Sequence, residues 1–207
     1  MKRILFLLSA VVAMSIAVAT SASGQTAKCP PGTTNPDYCQ PTPIEGTGGN
    51  DHIDGTDGSD EINAGGGNDK VNAGGGNDTV NAGDGNDNVK GGGGDDTVNG
   101  GKGNDKVDGG SGDDTVNGGP GNDNIKGGSG DDDLNGGSGN DKIDGGKGDD
   151  LIVGGKGRDN IKGGSGNDTI DSRDGQKDTV SCGPGHDTVR ADRKDKVSKD
   201  CETVNRG

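Results

Sequence analysis

One apolar residue recurs every nine positions through most of this 207-residue chain, at Ile53, Ile62, Val71, Val80, Val89, Val98, Val107, Val116, Ile125, Leu134, Ile143, Ile152, Ile161 and Ile170. Two residues before each stands an aspartate: Asp51, Asp60, Asp69, Asp78, Asp87, Asp96, Asp105, Asp114, Asp123, Asp132, Asp141, Asp150, Asp159 and Asp168. Two residues before each aspartate is a glycine, from Gly49 to Gly166 without exception. Residues 109–117, Gly-Gly-Ser-Gly-Asp-Asp-Thr-Val-Asn, show the whole unit, G-G-x-G-[N/D]-D-x-U-x with U apolar. A structureless acidic linker has no reason to hold one apolar residue in phase. Fourteen copies in unbroken register over residues 46–171 instead require an architecture in which each unit stacks on its neighbours.

Composition narrows that architecture. With 47 Gly, one Tyr, one Phe and no Trp, the chain cannot build an ordinary globular core. Residues 46–171 carry 26 acidic against 10 basic side chains, whereas 172–207 carry 7 against 8. An acidic repeat region disfavours nucleic acid and favours cations as partners.

The unit resembles the RTX (haemolysin-type) calcium-binding nonapeptide, and the resemblance covers residues 46–171. It implies an all-β fold: a parallel β-roll, or right-handed β-solenoid, of fourteen repeats in about seven coils. In that family six residues turn and hold calcium while x-U-x forms a short strand, so two units complete a coil. The resemblance makes the fourteen aspartates named above the metal-binding side chains. Inter-turn sites between them would number up to six per edge, or about twelve calcium ions in all. Thr47 and Thr56 depart from the pattern at the second glycine, Ala64, Ala73 and Ala82 at the first, and Ser59 and Arg158 at the residue before the aspartate.

Elementary electrostatics points to a cation as well. Aspartates two units apart would stack about 4.8 Å from each other, the inter-strand spacing. Such a pair repels by roughly 3 kcal/mol at an effective dielectric of 20. Calcium suits the donors, because it takes six to eight oxygens from carboxylates and backbone carbonyls, whereas magnesium keeps its waters. Zinc needs His or Cys, and the repeat region holds only His52.

The flanks read differently. Residues 1–24 have the form of a secretory signal peptide, with Lys2 and Arg3 before an apolar run from Ile4 to Val18. No transmembrane span is expected once it is cleaved. Residues 25–43 are a Cys/Pro/Thr-rich leader, and Ile44, in register but without an upstream aspartate, opens the roll over 44–171. Four cysteines in an exported chain predict two disulfides, and the intervening roll favours Cys29–Cys39 and Cys182–Cys201. Past Ile170 the repeat decays: Val180, Val189, Val197 and Val204 keep Asp178, Asp187, Asp195 and Glu202 two residues upstream, but the glycines thin out. Residues 172–207 are therefore expected to form a disulfide-stapled C-terminal cap that closes the open edge of the solenoid.

Two longer-range features stand out. Asp108, Lys126, Asp144 and Lys162 fall in one row as an alternating ion ladder, while Thr79, Thr97 and Thr115 accompany Asn81, Asn99, Asn117 and Asn135 on the other sheet. Leu151 and Val153 both flank an inward residue, Ile152, so both are predicted to face outward, awaiting cover by the cap or by another molecule. The sequence contains no H-E-x-x-H and no G-x-S-x-G, and its two histidines stand alone. The expected function is a secreted, extracellular or cell-surface calcium-binding protein with a structural or adhesive role. It is not expected to be an enzyme or to take a small-molecule substrate. An ice-binding solenoid, or an accessory module of a larger extracellular assembly, is the alternative.

Overall fold

The computed structural model describes residues 43–207. The predicted signal peptide, nearly all of the leader and the Cys29–Cys39 pairing lie outside the described residues. Within them the chain forms two parallel sheets and no helix. Ten strands, from Ile44–Thr47 to Thr203–Arg206, make one sheet, and nine, from His52–Asp54 to Lys196–Val197, make the other. Consecutive strands alternate between the sheets, so the chain winds as a β-solenoid.

Alternation explains the strand register. Glu61–Gly66 is typical, with outward Glu61 and Asn63 exposed or half-buried and inward Ile62 and Ala64 buried. Every U residue from Ile53 to Ile170 is at most 2 % exposed and lies beside its counterpart one turn away, as Ile125 does beside Val107 and Ile143. β-Branched side chains dominate this position because they pack well on a pleated surface. The strands are longer than the three-residue x-U-x expected: most run six residues, through both glycines and the residue after them. Beyond the strands the loop backbone still bonds to neighbouring turns, for instance from the Gly67 N–H to the Asp84 carbonyl at 2.8 Å.

The glycines differ in kind. At the second position Gly101 has φ +107°, and a Cβ there would fall on the Gly83 carbonyl oxygen of the preceding turn. Only glycine serves where the backbone is left-handed and another backbone approaches so closely. The first position lacks positive φ and points into the core. A Cβ on Gly118 would lie 2.5 Å from Asp123 Oδ2 and 2.7 Å from the Gly136 carbonyl oxygen, with Ile125 Cδ1 next at 3.0 Å. Ala64, Ala73 and Ala82 stand at this position before Val71, Val80 and Val89, but Gly91, Gly100 and Gly109 precede valines too, so the size of the apolar residue alone does not decide between them.

Winding continues past Asp171. Val180 registers on Ile161, Val189 on Ile170, Val197 on Val180 and Val204 on Val189, so the solenoid makes about nine turns where seven were expected. Val180 and Val189 are buried, Val197 is half-buried and Val204, on the last strand, is exposed; register is kept although turn length drifts from the regular eighteen residues to nineteen, seventeen and fifteen. Cys182 and Cys201 form a disulfide across a separation of 19 residues. Leu151 and Val153 face outward, 44 % and 37 % exposed. The C-terminal turns stack beyond them along the axis and do not fold back over them, which removes the expected cover by this segment. Of the ion ladder, Lys126–Asp108 (3.3 Å) and Lys162–Asp144 (3.0 Å) close as exposed pairs, each worth well under about 1 kcal/mol.

Two substitutions separate the glycine roles. Gly101→Ala should destabilise the fold by at least about 1–3 kcal/mol, the cost of an L-residue in a strained backbone state. Gly118→Ala should also cost about 1–3 kcal/mol, through crowding against the Asp123 carboxylate and the Gly136 carbonyl in a backbone that is not itself left-handed. Denaturant melts at fixed calcium read both; a Gly118→Ala variant as stable as the unaltered chain would contradict the packing argument.

Candidate metal site

Each nine-residue unit carries its aspartate from the loop back into the strand, and the winding stacks these residues in two columns. One runs Asp51, Asp69, Asp87, Asp105, Asp123, Asp141, Asp159, Asp178, Asp195; the other Asp60, Asp78, Asp96, Asp114, Asp132, Asp150, Asp168, Asp187, Glu202. All fourteen predicted site residues therefore sit in these columns, and every one is buried. The columns also take in Asp178 and Asp187, which the sequence placed at the right distance from an apolar residue but without the full glycine-rich loop.

A single hydrogen bond builds the column. The backbone N–H of each aspartate donates to Oδ1 of the aspartate one turn later, as Asp96 does to Asp114 at 2.9 Å and Asp105 to Asp123 at 2.8 Å. The partner oxygen is treated quite differently. Oδ2 of Asp69, Asp87, Asp105, Asp123, Asp141, Asp159 and Asp178 in one column is buried with no hydrogen-bond partner. So is Oδ2 of Asp78, Asp96, Asp114, Asp132, Asp150, Asp168 and Asp187 in the other. Burying a charged oxygen without a partner is among the most costly arrangements a fold can contain. Backbone oxygens lie near these atoms: the position of a Cβ on Gly91 is 2.5 Å from both Asp96 Oδ2 and the Gly109 carbonyl oxygen.

Protonation responds to this environment. Burial pushes the carboxyls up, a backbone N–H bond pulls part of the way back, and for most of them nearby carboxylates add to the rise. Asp78, Asp114, Asp141, Asp150 and Asp178 are pushed up to about 6, and Asp123 and Asp132 to about 7. Asp69, Asp87, Asp96, Asp105, Asp159 and Asp168 rise for the same first cause.

A second ladder was not foreseen. The residue before each aspartate uses its side-chain oxygen to accept the N–H of its counterpart one turn later, as Asn68 Oδ1 does from Asn86 (2.7 Å) and Asp113 Oδ1 from Asp131 (2.8 Å). Its signal was the Asn/Asp preference at that position, the two short side chains that reach a neighbouring backbone. The first turn of each column is closed locally: Asp51 Oδ2 accepts from the Thr47 N–H (2.7 Å) and hydroxyl (2.8 Å), and Asp60 Oδ2 from the same groups of Thr56.

Among the described residues no three His, Cys, Asp or Glu side chains converge as a self-contained metal cluster. Any ion must be held by stacked carboxylates together with backbone carbonyls. That all-oxygen donor set, with one negative, unpartnered oxygen per turn in each column, suits a hard cation and offers nothing to a soft one. A family model described as the RTX calcium-binding nonapeptide repeat (4 copies) matches residues 45–80, 72–107, 81–116, 108–143, 117–152, 144–176 and 161–189. No curated protein matches the chain.

The raised carboxyls fix the pH dependence expected without metal. A carboxyl whose pKa is higher in the fold than the unfolded value of about 3.9 supports the fold fully below that value and withdraws support as pH rises through the folded pKa. In chelator, β-structure should therefore persist near pH 4 and be lost as pH rises through about 6 to 7. With calcium in excess it should survive at pH 7, and the calcium midpoint should climb as protons compete at lower pH. Circular dichroism in chelator at the two pH extremes decides it; identical spectra would refute the role of burial.

Proposed function

Because the chain belongs to the RTX calcium-binding nonapeptide-repeat family, a calcium-binding structural module, we propose that calcium held between successive turns is what allows this solenoid to fold. Aspartates 69 to 168 of both columns supply the charged oxygens, and loop carbonyls complete the shell. The observation that carries this reading is the pair of rows of seven buried Oδ2 atoms without a donor. A divalent cation between turns satisfies them and reverses the repulsion between stacked carboxylates. Each central aspartate then serves the turns above and below it, so binding, winding and folding are one cooperative event.

The same reading places the protein outside the cell, where calcium is abundant enough to keep weak sites filled. It fits the signal-peptide form of residues 1–24 and the Cys182–Cys201 disulfide, which persists in oxidising compartments. Up to about twelve ions fit the regular part of the array. A structural or adhesive role follows from the two flat polar faces, whose repeated Thr, Asn, Lys and Asp rows are available to a partner. Among the described residues no helix is long and apolar enough to cross a membrane.

Two measurements test the proposal. At neutral pH the chain should be largely unfolded in chelator and gain β-structure cooperatively with a midpoint around 10⁻⁴–10⁻³ M calcium, while magnesium at the same concentration fails to replace it. Asp114→Ala should raise that midpoint several-fold, on the order of the 1–3 kcal/mol at stake for one charged group. A β-signal indifferent to chelator would end the proposal.

A further inference from the structure

The repeat motif and the buried oxygens disagree about where the metal array begins and ends. By the full motif it starts at Asp51 and Asp60 and stops at Asp159 and Asp168: no glycine stands two residues before Asp178, and the loop before Asp187 keeps Gly183 and Gly185 but has Cys182 at the first position and His186 next to the aspartate. By geometry both boundaries lie one turn further along the chain.

At the start, the Oδ2 atoms of Asp51 and Asp60 are satisfied by the protein. Each accepts two donors from a threonine four residues earlier, the N–H at 2.7 Å and the hydroxyl at 2.8 Å. Those donors are available for a topological reason. From the third strand onward the corresponding residue is a glycine in a strand already bonded to the turn before it, as Gly65 is in register with Thr47. Among the described residues no turn precedes the first coil, and its N–H bonds the carboxylate instead, while threonine adds a hydroxyl that glycine lacks. Two donors occupy the two acceptor directions of one carboxylate oxygen.

At the far end the columns run on. Asp178 accepts the Asp159 N–H at 2.7 Å, and Asp187 accepts the Asp168 N–H at 2.8 Å, so each takes the place of the next rung despite a nineteen-residue step. Asp178 is 0 % and Asp187 1 % exposed, and the Oδ2 of each has no partner. One turn later the need disappears. Asp195 Oδ2 accepts from the Ser172 hydroxyl (3.1 Å) and the Asp192 N–H (2.7 Å), while its Oδ1 takes the Asp178 N–H. In the other column an exposed glutamate, Glu202, stands in that place and accepts the Asp187 N–H at 2.9 Å.

We infer that the calcium array is displaced by one turn from the sequence motif: Asp178 and Asp187 are calcium ligands although their loops are degenerate, and Asp51 and Asp60 are not, although their units carry the aspartate in register. Thr47 and Thr56 do at the first coil what an ion does between later ones, and Ser172 with the Asp192 amide does so at the end of one column. The inference rests on the proposal that calcium occupies the columns, and deepens it by assigning their limits.

The test is a direct ion count. The full chain at saturating calcium and neutral pH is dialysed to equilibrium and its bound calcium measured by atomic emission, for the unaltered protein and for single Asp→Asn variants. Asparagine keeps the shape and the oxygen that accepts the N–H but removes the charge. Asp178→Asn and Asp187→Asn should each bind about one ion fewer and shift the folding midpoint to higher calcium, as Asp114→Asn does at the centre. Asp51→Asn and Asp60→Asn should leave the count unchanged. Thr56→Val should weaken the fold at every calcium concentration, also without changing the count. Loss of an ion at Asp51 or Asp60, or an unchanged count at Asp178 and Asp187, would overturn the inference. Failure of Asp178→Asn or Asp187→Asn to fold at saturating calcium would overturn it too, since losing one ion near the end leaves the remaining rungs intact. If Asp114→Asn also keeps its full count, it is the underlying calcium reading that fails, not the placement of its limits.

Discussion

A carboxylate oxygen buried with nothing to bind is the constraint on which this molecule depends. Every regular turn brings two such oxygens inside, one in each column, and the other oxygen of each aspartate is already committed to the amide of the turn before. Unwinding the solenoid relieves the oxygen but gives up the ladder; neutralising it by proton or by cation keeps both. Proton and calcium are thus alternative solutions to one electrostatic problem, and the raised carboxyls describe how readily the first is adopted when the second is withheld. The small core does not change this balance, because each turn buries little beyond two U side chains, such as Ile143 and Ile152.

Glycine is the condition that makes the stacking possible. At the second and fourth positions of the unit the carbonyl of one turn occupies the space a Cβ of the next would need, as Gly83 does at Gly101 and Gly85 at Gly103. The approach that forbids side chains there also brings backbone oxygens beside the carboxylates. Close winding and an oxygen-lined site are therefore one geometric fact. At the first position the backbone is not left-handed, and the chain admits a methyl there at Ala64, Ala73 and Ala82.

Much of this was legible in the sequence, because a strict period transmits directly into three dimensions. The apolar period placed both sheets and the core, and the aspartate two residues upstream placed both columns. What was less visible depended on the ends. Thr47 and Thr56 look like imperfections in a glycine motif until it is seen that their amides and hydroxyls bond the Asp51 and Asp60 carboxylates. Residues 172–207 look like a separate closing unit, yet Val180, Val189, Val197 and Val204 extend both sheets, and strand register is kept even where the loop between strands changes length. The exposure of Leu151 and Val153 follows from strand alternation alone; that the C-terminal turns leave them open does not.

The two hydrogen-bond ladders run in opposite senses, and only the forward one continues past the regular repeat. Aspartate amides donate forward, to the carboxylate one turn later, as from Asp141 to Asp159. The amides of the residues just before them donate backward, as from Asn140 to Asn122. Each turn is thereby held from both sides by adjacent residues, and slippage by one residue would break both sets at once. The backward ladder requires a side-chain oxygen at every step. Ser59 supplies one through its hydroxyl, accepting the Asn77 N–H at 3.1 Å. Arg158 and His186 each donate an amide backward, to Asn140 and Asn167, but have no oxygen with which to accept the next. In the first column Arg158 sits one residue before Asp159, where the step to the next rung lengthens from eighteen residues to nineteen. In the second column the step from Asp168 to Asp187 is also nineteen residues although the His186 amide still donates to Asn167, so the backward bond tolerates a longer loop; beyond it the forward bonds through Asp178, Asp187, Asp195 and Glu202 carry the columns to the end. Arg158, the one arginine of residues 46–171, and His186 beyond them thus end the backward ladder, and the chain continues under a looser rule that keeps only the acidic residue and the apolar residue two places after it.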